Sequence, residues 1–344
     1  MKNGIHSALL TGAALLAFPA MARADEQKNS DQSDPATWRI STGVNYSQGG
    51  YGDVQDTKVV SVPIAVKYKR GGFSLRVSVP FVHIDGPGSL LDTPQGRDAG
   101  FGDDSGFDDK GGSSGDSGSG STGSSSGSGS SGSNSGSGSS GSSGGSGSGG
   151  SGSSHSGGAD DSPSGGDTVA GGGTVVGTPG AANNRRSGIG DIAVTLGYSF
   201  NLGDATYFDL SGRLKVPTAS TAKRLGTGKV DVTLGGDLVQ DIGRATVYVG
   251  GRRKFMGKPV GSTLRDTWGV GGGASYRMPG GTVIGADYDW QQSSSASNGP
   301  SSEVTGWINF GLTRKLRMQA FASTGFTTSS TDFAGGLSLS YRLN

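Results

Sequence analysis

The side chains that could do acid–base chemistry are few in this 344-residue chain. It has three histidines, of which His6 falls in an N-terminal leader and His155 in a Gly/Ser run. His83 ends a predicted strand, and no nearby motif singles out a serine that it could activate. Asp287 and Asp289 share one strand face, where a carboxylate pair is more often a solvated or Arg-paired wall than a catalytic couple. We therefore predict that the chain is not an enzyme.

Motifs for metals and nucleotides are equally weak. The chain has no cysteine, which excludes disulfides and thiolate metal sites. Asp103, Asp104, Asp108 and Asp109 could attract calcium, but they lack the regular Gly-Gly-x-Gly-x-Asp repeat, and a solvated acidic loop tip is favoured. The glycines at 171–173 lack the strand-to-helix setting of a phosphate-binding loop. We predict no metal and no cofactor.

Charged residues instead follow an alternating pattern. Phe73, Val77 and Phe81 lie on one side of a predicted strand, and Arg76 and Ser78 on the other. A soluble sandwich shows such alternation too, but it needs a second sheet to cover its apolar face, whereas a membrane barrel needs only itself. The pattern recurs in about twelve segments and favours an all-β fold, a transmembrane antiparallel up-and-down β-barrel.

The charges of these segments fall on the parity opposite the apolar residues. A lipid-facing Arg or Lys costs about 2 to 4 kcal/mol at the bilayer midplane, so this placement is hard to obtain by accident. We predict a wet lumen of mixed charge that forms a narrow or partly plugged passage, since twelve strands enclose more space than eight and less than the sixteen of large porins. The predicted lumen-lining residues are Arg39, Lys67, Arg76, Asp191, Asp209, Arg213, Lys215, Asp231, Asp237, Arg252, Arg277, Asp287, Asp289, Arg317 and Arg342.

The connections between the predicted strands alternate between short turns and longer loops. Outer-membrane barrels have short periplasmic turns and longer extracellular loops, and an even strand count leaves both termini on the periplasmic side. The predicted strands span 37–48, 57–69, 72–84, 188–200, 205–216, 229–241, 244–255, 266–278, 281–292, 303–314, 316–326 and 333–343.

The two ends of the apolar parity are rich in aromatic residues, which predicts two interfacial girdles; ordinary sandwich-edge aromatics are the alternative. Near the short turns these are Tyr68, Phe73, Tyr198, Phe200, Tyr276 and Tyr341, and near the long loops Tyr46, Phe81, Trp268, Trp290 and Phe333. Glycines recur on the inward parity, either to leave room in the lumen or to relieve crowding at bends. They are Gly43, Gly197, Gly235, Gly250, Gly269, Gly271, Gly273 and Gly285.

The N-terminus reads as a secretory signal. Lys2 gives the positive start, an apolar stretch follows, and Ala22-Arg23-Ala24 resembles a cleavage site, so we assign 1–24 to a signal peptide and 25–344 to the barrel. The barrel contains a Gly/Ser-rich insert at 101–180, predicted to be a disordered extracellular loop because it cannot bury enough apolar surface. We expect the bacterial outer membrane, with its lipids and the barrel assembly machinery as partners. A net charge of +1 lacks the basic excess of nucleic-acid binders.

The order of several short motifs resembles the phenol-degradation meta-pathway (MetA-pathway) family of outer-membrane transporter-like β-barrel proteins. The resemblance covers nearly all of the chain outside the signal and the insert, and it implies a barrel that passes small molecules, including aromatic or hydrophobic compounds. The segments that carry it are STGVNYS at 41–47, GGYG at 49–52, VPIAVKY at 62–68, VSVPF at 77–81, GPG at 86–88, RSGIGD at 186–191, KVPT at 215–218, LGTG at 225–228, GASYR at 273–277 and GLSLSYR at 336–342.

Two functional hypotheses follow from the sequence. The first is an outer-membrane channel for the passive passage of small molecules, motivated by the polar inner parity and the lack of a catalytic grouping. The second is a surface protein whose barrel displays the Gly/Ser-rich loop for adhesion or partner binding. The sequence contains no recognisable group of side chains that would identify the solute.

Overall fold

The computed structural model describes residues 35–92, 174–176, 184–296 and 298–344. Several sequence-based predictions fall outside the described residues: the signal peptide 1–24, the acidic residues 103–109, glycines 171–173, His155 and the insert 101–180 apart from 174–176. Among the described residues, no helix has the length and apolar character needed to cross a membrane.

The described residues form fifteen strands, and β-branched and aromatic residues at alternate positions favour them. They are β1 Thr37–Gly49, β2 Thr57–Arg70, β3 Phe73–Gly86, β4 Ser89–Asp92, β5 Thr174–Val176, β6 Asn184–Ile189, β7 Ile192–Asn201, β8 Thr206–Val216, β9 Asp231–Ile242, β10 Ala245–Phe255, β11 Thr267–Arg277, β12 Val283–Gln291, β13 Ser301–Gly311, β14 Leu316–Gly325 and β15 Phe333–Arg342.

Thirteen of these strands form one sheet that closes on itself. Each strand pairs antiparallel with its neighbours, and β1 pairs with both β2 and β15. Since β6 and β7 both pair with β3, along its two halves, they make up one wall strand. The barrel therefore has twelve wall strands, which confirms the predicted twelve-stranded closed antiparallel barrel.

The break between β6 and β7 is a β-bulge opposite Pro80. Pro80 has no N–H to give the ladder, so its carbonyl oxygen accepts a hydrogen bond from Gly190 N at 2.8 Å. The hydroxyl of Thr218 bridges the interruption, accepting from Ile192 N and donating to the Gly190 carbonyl, both at 3.0 Å. The extra residue turns the buried Asp191 towards the barrel interior.

The connections alternate in length as predicted. Turns of two to five residues join strand pairs at the end where β1 begins and β15 ends, and longer loops join them at the other end. The strand boundaries differ from the predicted ones by at most four residues. The strand predicted at 303–314, for example, spans Ser301–Gly311, because Leu312 and Thr313 N–H both bond to the Leu316 carbonyl in a tight turn. Strands β4 and β5, which pair with each other outside the barrel wall, were not predicted.

The outward face of the barrel is apolar. Val249 and Leu337 expose 62% and 55% of their surface, although both lie mid-strand. The aromatic residues predicted for the girdles lie on this face near the strand ends, and some contact one another, as Tyr198 and Phe200 do at 4.7 Å between ring centroids. The exterior thus has an apolar band between two aromatic tiers.

Barrel closure predicts a specific cross-link. Thr42 of β1 lies directly opposite Leu339 of β15, so Thr42→Cys with Leu339→Cys should form a disulfide, since the Cα separation of directly opposed antiparallel residues, about 4.5 to 5.5 Å, falls in the range of disulfides. Because the chain has no native cysteine, the bond is visible as an intramolecular shift on non-reducing gels. Thr42→Cys with Leu337→Cys, out of register by two residues, is the control. Equal cross-linking of both pairs would contradict the register.

Candidate functional site: the barrel interior

Fourteen of the fifteen charged residues predicted to line the lumen lie on the inward parity of their strands, and the fifteenth, Asp191, lies in the bulge between β6 and β7. On β8, for example, Asp209, Arg213 and Lys215 are buried and alternate with the exposed Leu210 and Leu214. The register carries this parity from strand to strand around the barrel, as in the pairing of Arg39 with Lys67 and of Lys67 with Arg76. The charges thus face the space that the barrel encloses.

The inward carboxylates of the described residues all lie within seven consecutive wall strands, where they are mixed with cations such as Arg213, Lys215 and Arg252. Five consecutive wall strands, β14, β15, β1, β2 and β3, carry no Asp or Glu on their described inward positions. They carry six cations, which we call the basic arc: Arg317, Arg342, Arg39, Lys67, Lys69 and Arg76. Strand pairing places Arg342, Arg39, Lys67 and Arg76 directly beside one another. The alternation of residues along single strands could not show this arrangement, because the position of the cations beside one another depends on the strand register and on closure of the barrel.

The carboxylates of the acidic row lie on the opposite wall. Asp209 pairs with Asp237, and Asp289 pairs with Glu303. Two glycines on β10 and β11 connect the two pairs in one row of the ladder. In the twelve-strand order, β10 at the middle of this row is six strands from β1 at the middle of the basic arc, so the two centres lie across the barrel from each other. The ends of the row, on β8 and β13, approach the arc.

Part of this acidic wall is neutralised by its own partners. The Arg252 guanidinium reaches both carboxylate oxygens of Asp289, with Nη1 to Oδ2 at 2.6 Å and Nη2 to Oδ1 at 2.7 Å. Such a bidentate pair is among the stronger hydrogen-bonded ion pairs. Glu303, which was not predicted as a lumen residue, accepts a hydrogen bond from Thr331 N at 2.9 Å. In the sequence, Glu303 is two positions from Thr305 and so falls on the same, inward side of the strand, which could have identified it as a lumen residue.

A second ion cluster anchors the loops at the long-loop end. Lys215 Nζ lies 3.2 Å from Asp191 and 2.9 Å from Asp231, and all three side chains are at most 4% exposed. The same carboxylates accept hydrogen bonds from Ala219 N and Gly257 N, each at 2.9 Å. Removing one member of such a buried cluster leaves an uncompensated charge, at a cost of about 3 to 5 kcal/mol. These three residues hold the mouth of the barrel together.

Four aromatic residues that the sequence analysis did not place in the lumen have the inward parity of their strands: Tyr207, Tyr248, Trp307 and Phe321. Trp307 Nε1 donates to Asp287 Oδ2 at 3.0 Å, and the Tyr248 hydroxyl donates to the other oxygen of the same carboxylate. The sequence could have shown this for Tyr248, which is four positions from Arg252 and therefore lies on the same, inward side of β10. A polar interior therefore also presents aromatic surface.

The inward glycines make space for these side chains. A Cβ built at Gly285 would lie 2.4 Å from the Trp307 ring, and one at Gly273 would lie 2.5 Å from both the Tyr248 hydroxyl and Asp287. Glycine at these positions lets long side chains of neighbouring strands lie flat along the wall. The sequence analysis gave two equal explanations for the inward glycines, room in the lumen and relief of crowding. At Gly285 and Gly273 the glycine relieves crowding, and the neighbouring side chains can then lie against the wall and leave room in the lumen.

An apolar cluster covers the interior at the long-loop end of β2 and β3. Val59, Val82 and Ile84 are on the inward parity and at most 1% exposed. Loop residues pack on them: Tyr51, Leu90, Val175, Ala219 and Leu225. The loop segments before β2, β6 and β9 thus fold over this part of the barrel mouth and narrow it.

Polar contacts hold this cover in place. Arg186 donates to the carbonyl oxygens of Gly86, at 2.7 Å, and of Gly88. Tyr51 adopts a left-handed backbone with φ of 50°, and its carbonyl oxygen accepts from Asn298 Nδ2 at 3.0 Å. Burial raises the pKa of Tyr51 to about 12, so its hydroxyl stays protonated at neutral pH and donates to Ser47 Oγ at 3.2 Å.

The histidine weighed as a candidate for acid–base catalysis does not face the barrel interior. His83 is on the outward face of β3, and its side chain is exposed. No group of three or more His, Cys, Asp or Glu that could hold a metal ion occurs among the residues that the structure describes.

Comparisons with known proteins identify the fold. No protein-family model matches the chain. No curated protein matches it significantly. Among solved structures, an outer-membrane channel from Pseudomonas putida F1 has a TM-score of 0.51 at 13% identity, and the match covers 92% of this chain and 100% of that chain. At this identity the likeness shows a shared barrel fold alone.

Two more distant likenesses carry no argument about this chain. The NanC porin has a TM-score of 0.46 at 6% identity, covering 88% of this chain and 98% of that chain. The CymD monoaromatic hydrocarbon channel has a TM-score of 0.40 at 12% identity, covering 90% of this chain and 88% of that chain.

The role of Gly285 can be tested directly. Gly285→Ala should force the Trp307 ring off the wall, break its bond to Asp287 and destabilise the barrel by about 1 to 3 kcal/mol through overpacking. Urea unfolding followed by tryptophan fluorescence measures this change. Gly306→Ala is the matched control, because Gly306 pairs with the neighbouring Ala286 and has open space where its Cβ would go. Equal stability of both variants would contradict the close contact.

The apolar cover predicts a local effect of truncating Leu225, which is 1% exposed. Leu225→Ala should loosen the cover by about 2 to 5 kcal/mol, since it leaves a cavity among the clustered side chains. Amide hydrogen exchange should then rise at 217–230 and stay unchanged in β11 to β14. Leu202→Ala, in an exposed short turn, should change neither region. Unchanged exchange at 217–230 would show that the cluster does not hold the loop.

Proposed function

We propose that this protein is a passive diffusion channel of the bacterial outer membrane. The observation that carries the proposal is the combination of an apolar, aromatic-flanked exterior with an inner wall built from charged side chains. A closed barrel satisfies every backbone group of its wall internally, which is what a lipid environment requires. The charged side chains of the inner wall can act on solutes only if water and solutes reach them.

The proposal extends to location and assembly. Residues 1–24 act as a cleaved signal peptide, outer-membrane lipids contact the apolar band, and the barrel assembly machinery inserts it. The short turns then face the periplasm and the covered mouth faces outside. We also propose that the protein is not an enzyme, because His83 lies on the outer surface and away from the charged interior.

The passage that we propose suits small molecules. Twelve wall strands enclose more space than eight, which side chains alone can fill, and less than the sixteen of water-filled porins, and the apolar cover narrows one mouth further. The resemblance to the MetA-pathway family suggests aromatic or hydrophobic compounds. Tyr248 and Trp307 offer aromatic surface to such solutes, while the surrounding charges favour solutes that also carry a polar group.

A second candidate function is display of the Gly/Ser-rich insert. Leu90 of β4 pairs with Val175 of β5, so the chain leaves and re-enters the described structure at one point beside the mouth. This arrangement suits a segment presented for adhesion or partner binding. Deletion of residues 111–158 separates the two functions, because solute passage should survive it and adhesion should disappear.

The channel is tested by recording single-channel currents from the purified full-length protein in planar bilayers, together with efflux of small solutes from liposomes. We expect discrete conductance steps and faster efflux of small than of large solutes. Trp38→Ala, on the outward face, should retain both activities. A correctly folded barrel without conductance or flux would overturn the proposal.

A further inference from the structure

We propose that the basic arc is a binding site for small oxyanions, so that the solutes favoured by the barrel carry a carboxylate or a phosphate. This inference rests on the proposed channel function and names its solute class. It is carried by the arrangement of the cations around the wall and by the absence of Asp and Glu from the described inward positions of their five strands.

The cations of the arc are placed where they repel one another. Arg342 pairs with Arg39, Arg39 with Lys67, and Lys67 with Arg76, each directly opposite on the inward face. Like charges directly opposite on a sheet destabilise it. A wall that only had to be wet could be made of Ser and Thr, which occupy many other inward positions. Four neighbouring serines would not repel one another and would need no counterion. A bound anion offsets the repulsion between the four cations.

The arc is accessible from the short-turn end of the barrel. Arg342 is the last residue of β15, Arg317 the second of β14 and Arg39 the third of β1, so all three lie at that mouth. Their side chains are partly exposed, in contrast to the buried ions at the other end. The six cations also take part in other interactions, and a bound anion would add to these.

The carboxylates leave this mouth positive. Asp289 is engaged by Arg252, and Asp191 and Asp231 by Lys215. Asp191, in the bulge beside β7, and Glu303, on β13, are one wall strand from the arc, but both lie at the long-loop end. Asp209, on β8, is two wall strands from β3 and interacts electrostatically with Lys67 and Lys69. Arginine forks match carboxylate and phosphate oxygens in pairs, and the directly opposed Arg39 and Arg342 provide two such forks side by side.

The test measures the zero-current potential of the full-length protein in a planar bilayer under a KCl gradient. The wild type should prefer chloride over potassium. Arg39→Glu with Arg342→Glu should reverse this preference, and Arg39→Gln with Arg342→Gln should abolish it. Lys58→Glu is the matched control, because Lys58 is an exposed residue on the outward face of β2. Heat-modifiable gel mobility shows whether each variant is folded.

A second measurement does not depend on conductance. Calorimetry of the detergent-purified barrel with citrate and with inorganic phosphate should show binding to the wild type and to Lys58→Glu. We expect the Gln variant to bind each about tenfold more weakly, about 1.4 kcal/mol. Comparing the two anions distinguishes a carboxylate site from a phosphate site.

The outcomes separate this inference from the channel proposal. Open channels without anion preference, or a potential that the Gln and Glu pairs leave unchanged, would overturn the oxyanion site and leave the channel standing. Anion binding without any conductance would support the site and overturn the channel. Absence of both binding and preference overturns the inference whatever the conductance.

Discussion

Closure of the backbone hydrogen-bond ladder between β1 and β15 is the constraint on which the rest of this structure depends. An open twelve-stranded sheet would expose two rows of unpaired N–H and C=O groups, which invite aggregation in water and are not tolerated in lipid. Closure removes both edges and divides every side chain into one of two sets. The outward set is apolar with aromatic ends, and the inward set holds the charges. Each later feature of the molecule is a consequence of how the inward set is packed.

The inward set is too bulky to fit without local adjustments. Glycines such as Gly285 let Trp307 and its neighbours lie along the wall, and the bulge opposite Pro80 turns Asp191 towards Lys215. The loops complete the arrangement by covering one side of the mouth with an apolar cluster. What remains is a barrel whose two inner walls differ in charge. An ion or a charged solute inside it would therefore experience a field directed across the barrel.

The sequence predicted the strands and their facing well, because a period of two is a local property that twelve segments repeat. It also predicted which end carries the short turns. It did not predict the basic arc, since the position of Arg342 beside Arg39 depends on closure and register, which are not local. Trp307 and Tyr248 were missed although their parity was readable, because aromatic residues were sought on the apolar face alone. The apolar cover could not be predicted, as it joins loop residues such as Tyr51 and Leu225 that are far apart in the chain.

Cysteine accessibility along β15 in reconstituted vesicles tests the central claim most directly, namely that one parity faces lipid and the other faces water. Single cysteines would replace Leu337, Ser338, Leu339 and Ser340, and each would be exposed to a small charged maleimide. The account predicts labelling at 338 and 340 and protection at 337 and 339. Equal labelling along the strand, or the reverse alternation, would contradict it.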